Sequence, residues 1–122
     1  MHRQIDDDTL FKAKIVHLIL SKETMEALEL LSKHYKISTP QVKMGMPKRD
    51  ARYPACYVAK TATIHFANGD NLYNPFIVLH EFYHHLRTSG TIHKGTEKNA
   101  DNFAKEYIIK YHLCERDAAR HF

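Results

Sequence analysis

Asn74-Pro75-Phe76-Ile77-Val78-Leu79-His80-Glu81-Phe82-Tyr83-His84-His85-Leu86-Arg87 decides the reading of this chain. Asparagine before proline is a helix start. The amide side chain can accept from the orphan N–H groups of the first turn, and proline has no N–H to leave unpaired. Ser89-Gly90 supplies the stop. At about 100° per residue, Leu79, Phe82 and Leu86 cluster on one side, with Phe76 and Tyr83 at its border. His80, Glu81 and His84 fall on the opposite side. Residues four apart share a helix face, with Cβ atoms about 5–6 Å apart, so the two imidazoles can reach one metal ion. Glu81 then stands beside the ion rather than on it, where a carboxylate can take a proton from an activated water. His85 points away from this pair and reads as a surface residue or a support behind a ligand.

Downstream, a second helix is expected from near Thr96 to about Leu113, with Glu97 and Asp101 on one face. A catalytic zinc site needs three protein ligands and an open position. Glu97 can be the third ligand. Asp101, one turn on, can accept a hydrogen bond from the far nitrogen of a ligating histidine and fix its tautomer. A glutamate in a first turn also suits the helix dipole, so Glu97 alone says little; the acidic pair together with the histidines carries the site. The polar residues 115–122 are expected to be loosely held. His121 or the Phe122 carboxylate could then cover the open metal position.

Upstream, Ala55 to Ala59 and Thr61 to Ala67 are rich in strand-forming residues, and Gln41 to Met46 reads as a further short strand. Pro47 to Asp50 and Asn68-Gly69-Asp70-Asn71 are turns. Lys22 to Lys36 is an amphipathic helix, with Met25, Leu28, Leu31 and Tyr35 on one side and Ser21 as its cap. Pro40 ends the helical character. Thr9 to Leu20 fits a helix through Phe11, Ile15, Leu18 and Ile19, and equally fits a strand through the apolar run Ile15 to Leu20.

The 122 residues suffice for one domain, 1–122, with one modest core. At 43% hydrophobic and 26% charged the composition is that of an ordinary globular protein, and any site must be a groove on that core. Ten histidines are the one outlier. The net charge of +4 is spread along the chain without a dense basic block, so it does not call for a nucleic-acid partner. Cys56 and Cys114 lack a metal-binding spacing and read as reduced intracellular thiols, with a disulfide left open. The N-terminus lacks a signal-peptide pattern, and the longest apolar run is too short for a bilayer. A cytoplasmic location with no membrane partner is expected. The oligomeric state is not readable.

His80-Glu81-Phe82-Tyr83-His84 followed by Glu97-Lys98-Asn99-Ala100-Asp101-Asn102-Phe103-Ala104 resembles the gluzincin branch of zinc metallopeptidases. The nearest likeness is to the minigluzincins and the ImmA/IrrE-type peptidase domains, over about residues 55–110. The resemblance implies an α+β, zincin-like minimal domain: N-terminal helices, a small twisted sheet of three or four strands, an active-site helix and a second helix bearing a ligand. It implies Zn2+ on His80, His84 and Glu97, Glu81 as general base and then general acid, and Asp101 behind His80. Thr61 to Ala67 would be the edge strand, pairing with an extended peptide or protein substrate. The separation of His84 from Glu97 is short for the larger gluzincins; if it is too tight, Asp101 is the ligand instead. The oxyanion stabiliser has four candidates, His93, Tyr57, Tyr107 and His65, each with a plainer reading as a core, border or surface residue. The chain is thus expected to be a zinc metallopeptidase. The alternative is a zincin-fold, zinc-binding regulatory or interaction module with little or no catalysis. Glu81 argues against it, because a purely structural site has no use for that residue.

Overall fold

The computed structural model of the chain describes residues 5–89 and 96–119. Among them the elements are α1 (Asp7–Leu20), α2 (Thr24–Tyr35), β1 (Gln41–Met44), β2 (Ala55–Val58), β3 (Thr63–Phe66), α3 (Gly69–Leu72), α4 (Pro75–Thr88) and α5 (Glu97–Ala119). A 3-10 turn, Lys48–Asp50, lies between β1 and β2. The class is α+β, as expected, with the smaller of the two expected strand counts.

Residues 7–20 form a helix, not a strand. Asp6 caps it, Oδ1 accepting from Thr9 N at 2.7 Å. The ambiguity of this stretch has a physical cause. α1 packs against α2, α4 and α5, and buries Thr9, Lys12, Ala13, Ile15, Val16, Leu18 and Ile19. That arc is too wide to leave a single apolar stripe. Ser21 closes α1 rather than opening α2, its N–H donating to His17 O at 2.9 Å. α2 begins at Thr24, whose hydroxyl donates to Leu72 O at 2.7 Å and ties the helix to α3.

The strand order is β1-β3-β2. β1 runs parallel to β3, with Gln41 opposite Thr63 and Met44 opposite Phe66. β2 runs antiparallel, with Ala55 opposite Phe66 and Val58 opposite Thr63. The expectation that residues 61–67 form the edge is therefore corrected: β3 is the central strand, and β1 and β2 are the edges. β3 carries Ile64 and Phe66, both fully buried, whereas β1 is largely exposed. A strand with such side chains is served by neighbours on both sides. Gly45, at φ 100°, takes a left-handed backbone just after β1 while its N–H still reaches Phe66 O at 2.7 Å.

The core joins Ile15, Val16 and Ile19 of α1, Leu28 and Leu31 of α2, Ile64 and Phe66 of β3, Val78, Leu79 and Phe82 of α4, and Tyr107 of α5. Each large side chain so buried contributes about 1.5–3 kcal/mol. α4 is held between β2 and α5, and this placement builds the site. α5 continues to Ala119, well past Leu113. At 1.5 Å per residue its axis is about 33 Å long, so residues 115–119 are carried away from Glu97. Residues 115–119 are therefore helical rather than loosely held; the expectation that His121 or the Phe122 carboxylate covers the metal position falls outside the described residues. Among the described residues no helix is long and apolar enough to cross a membrane.

Candidate metal centre

α4 starts where the sequence places it. Asn74 Oδ1 accepts from Ile77 N at 3.3 Å, with Pro75 in the first turn. Val78, Leu79 and Phe82 anchor the helix in the core. That leaves His80 and His84 one turn apart, their rings edge to face with centroids 5.1 Å from each other. At the start of α5, Thr96 Oγ1 accepts from Asn99 N at 3.0 Å. Packing of α5 on α4 brings Glu97 and Asp101 against the histidines.

Four side chains converge. Glu97 Oε2 lies 2.9 Å from His80 Nε2, and Oε1 lies 2.8 Å from His84 Nε2. Asp101 Oδ1 is 2.8 Å from His80 Nδ1. One donor atom from each of His80, His84 and Glu97 falls within 4.8 Å of the others. Asp101 stands behind His80 and outside that trio.

This donor set fits a zinc ion. An ionised carboxylate only accepts hydrogen bonds, and a neutral imidazole has one proton to give. His80 faces a carboxylate oxygen at each nitrogen. In the tautomer whose Nδ1–H donates to Asp101, Nε2 turns a lone pair toward Glu97, an arrangement that a cation held by both would satisfy. His84 Nε2 is buried and, although close to Glu97, is not aligned for a hydrogen bond. Burial pushes the His84 pKa down, with His80 adding to this and Glu97 opposing, which favours the neutral ligand form. Two nitrogens and a carboxylate, with a cleft in front, could hold a metal ion and match the donor types of a three-ligand zinc site with an open position.

The cleft, about 640 Å3, is lined by His80, Glu81, His84 and Glu97 on one side and by Asp50, Tyr53, Cys56 and Tyr57 on the other. A smaller lobe of about 220 Å3 continues past Tyr53 to Phe76 and Asp101. Glu81 is 9% exposed. Burial raises its pKa to about 7, His80 opposing and Glu97 adding. A carboxyl group so poised in a cleft is a candidate general acid or base.

The four oxyanion candidates separate. Tyr107 is fully buried, its hydroxyl 2.6 Å from that of Tyr35, and it does not line the cleft. His65 sits on the central strand, Nδ1 3.2 Å from Gly45 O, also outside the cleft. Tyr57 lines the cleft, but its hydroxyl is committed. His85 Nε2 donates to Ser38 O at 2.7 Å, so Nδ1 is the acceptor for Tyr57 Oη at 2.8 Å. His93 lies outside the described residues. His85 is thus a buried tie between α4, β2 and the segment before β1, not a surface residue. Tyr53 and Asp50 went unnoticed in the sequence, where they sit in a turn-rich segment with no motif around them. Tyr53 is half-exposed and faces both lobes.

Compared with protein-family models, curated proteins and solved structures, the chain matches none.

Proposed function

We propose that the chain is a zinc-dependent metallopeptidase of the gluzincin kind, with a zincin-like arrangement of helices and sheet. The observation that carries this reading is the convergence of His80, His84 and Glu97 donor atoms within 4.8 Å, with Asp101 orienting His80. When bound, a zinc ion supplies a Lewis acid at the centre of the cleft. The remaining work falls to the chain. Asp101 keeps the His80 proton on Nδ1 and leaves Nε2 free. The buried Glu81 takes a proton from the attacking water and passes it to the leaving amine. Tyr53, whose hydroxyl has no described partner, donates to the developing oxyanion. An extended substrate pairs with the open edge of β2, which borders the cleft, rather than with β3.

The test is Glu81→Gln. It is expected to bind about one zinc per chain, as wild type does, and to lose peptide hydrolysis, because only a non-ligand base is removed. Loss of zinc in Glu81→Gln would refute the role given to Glu81. Wild type that takes up no zinc would refute the metal site. Stoichiometric zinc without hydrolysis of any unfolded protein substrate would support a regulatory zinc-binding module instead.

A further inference from the structure

The metal reading leaves one carboxylate of the cleft unused. Glu97 and Asp101 face the histidines and Glu81 stands beside them, but Asp50 enters the same cleft from the turn before β2. That turn is fixed by its backbone, with Asp50 N donating to Pro47 O at 2.9 Å and Tyr53 N to Asp50 O at 3.0 Å. Among the described residues Asp50 forms no ion pair. Its chain neighbours Arg49 and Arg52 are exposed and do not line the cleft; Arg52 lies over the Tyr53 ring, 5.8 Å from the centroid. The chain has 18 lysines and arginines, yet none of them lines either lobe among the described residues.

The lining of the cleft around Asp50 includes no lysine or arginine among the described residues. Cys56 stands beside it as a neutral thiol, its pKa pushed up to about 11 by burial, with Asp50 and Glu81 adding to the effect. The same side of the cleft is lined by the rings of Tyr53 and Tyr57 and the small side chains of Ala55 and Ala59. A half-buried carboxylate that hydrogen-bonds the Cys56 thiol but has no ion pair among the described residues, in a cleft also lined by aromatic rings, is complementary to a cation.

Resting on the peptidase reading, we propose that Asp50 is a specificity residue that selects peptides carrying a lysine or arginine side chain beside the scissile bond. The placement supports it. The turn bearing Asp50 leads into β2, and Asp50, Cys56 of β2 and Glu81 line the same cleft. A peptide laid along β2 would therefore present a side chain to Asp50 close to the bond under attack.

The experiment keeps this apart from the peptidase reading by measuring binding without turnover. Zinc-loaded Glu81→Gln is titrated, by fluorescence anisotropy, with labelled alanine–serine peptides in which Lys, acetyl-lysine or Glu is scanned through each position. At the best position the Lys peptide is expected to bind about tenfold tighter than its acetyl-lysine twin, and the preference should shrink as salt rises. Adding Asp50→Asn should bring the ratio near one with zinc content retained, and adding Asp50→Lys should turn the preference toward the Glu peptide. Equal binding of Lys and acetyl-lysine peptides overturns the proposal. So does a preference that survives Asp50→Asn, or no binding of any peptide at millimolar concentration. If wild type cleaves peptides without a lysine preference, the peptidase reading stands and this one falls. If it cleaves none while the binding preference depends on Asp50, the cation site stands and the peptidase reading falls.

Discussion

Replacing Glu97 by alanine separates what holds the fold from what would hold an ion. The Glu97 side chain is 78% exposed, although its oxygens lie 2.8 and 2.9 Å from two imidazoles. Ion pairs at such exposure contribute about 0–1 kcal/mol, so metal-free Glu97→Ala should unfold within about 1 kcal/mol of metal-free wild type. Zinc binding should respond differently. Structural sites bind zinc with about 10–16 kcal/mol, roughly 3–4 kcal/mol per donor, so losing one donor weakens binding by roughly a few hundredfold. Asp101→Ala removes only the partner of His80 Nδ1, a change worth about 10–100-fold. Chelator competition gives the two affinities. Thermal unfolding with zinc gives an independent check. At a free zinc concentration about 100 times the wild-type Kd, wild type gains about 2.7 kcal/mol, or roughly 10 °C for a domain of this size, and Glu97→Ala gains almost nothing. If Asp101→Ala abolishes zinc binding and Glu97→Ala spares it, Asp101 is the ligand and the reasoning is refuted. Equal stabilisation of all three proteins would place the ion elsewhere.

Tyr53→Phe is expected to lower kcat by about 10²–10³-fold, with KM and zinc content changed little; an unchanged kcat would remove Tyr53 as the oxyanion donor. Lys12 is nearly buried in α1 and bonds Asp8 and Glu106, each at 3.1 Å. Burial works against its charge, but the two carboxylates outweigh it and raise the pKa. A raised amine pKa stabilises the fold below the unfolded-state value of about 10.4, and that stability is lost as pH rises through the folded value. Lys12→Met should therefore be about 1 kcal/mol less stable than wild type at pH 7, the gap closing in urea titrations above about pH 10.5. A gap that stays constant to pH 11.5 would mean that the Lys12 charge contributes nothing.

The helix and the site were legible where the signal is local. Asn74-Pro75 states where α4 begins, and the i, i+4 spacings of His80 with His84 and of Glu97 with Asp101 set each pair on one face. What failed depends on partners far along the chain. β3 became central because β1, two strands earlier, pairs with it in parallel, and no residue within 63–66 encodes that choice. His85 is buried because Ser38 and Tyr57 meet it from other elements; on a helical wheel it sits simply outside the ligand face. α5 outlasted its apolar pattern because residues beyond Leu113 need only helix propensity, not a core. Asp50 and Tyr53 could not be read, since a turn residue enters a cleft only through the path of the strands around it.

Glu81 bears on the choice between a peptidase and a regulatory zinc module. It is 9% exposed, and among the described residues it has no ion-pair or hydrogen-bond partner. Placing a carboxyl group there disfavours its ionised form and costs stability that a small apolar residue would not. A site that only held an ion would be better served by such a residue, because His80, His84 and Glu97 complete the donor set without Glu81. The position instead gives the chain a largely buried proton-accepting group that lines the cleft beside the histidines. Stability given up for a poised acid–base group is the usual mark of a reactive site. A regulatory module would leave that cost without a return, so the buried Glu81, without an ion-pair or hydrogen-bond partner among the described residues, is the observation that favours the proposed peptidase over a regulatory module.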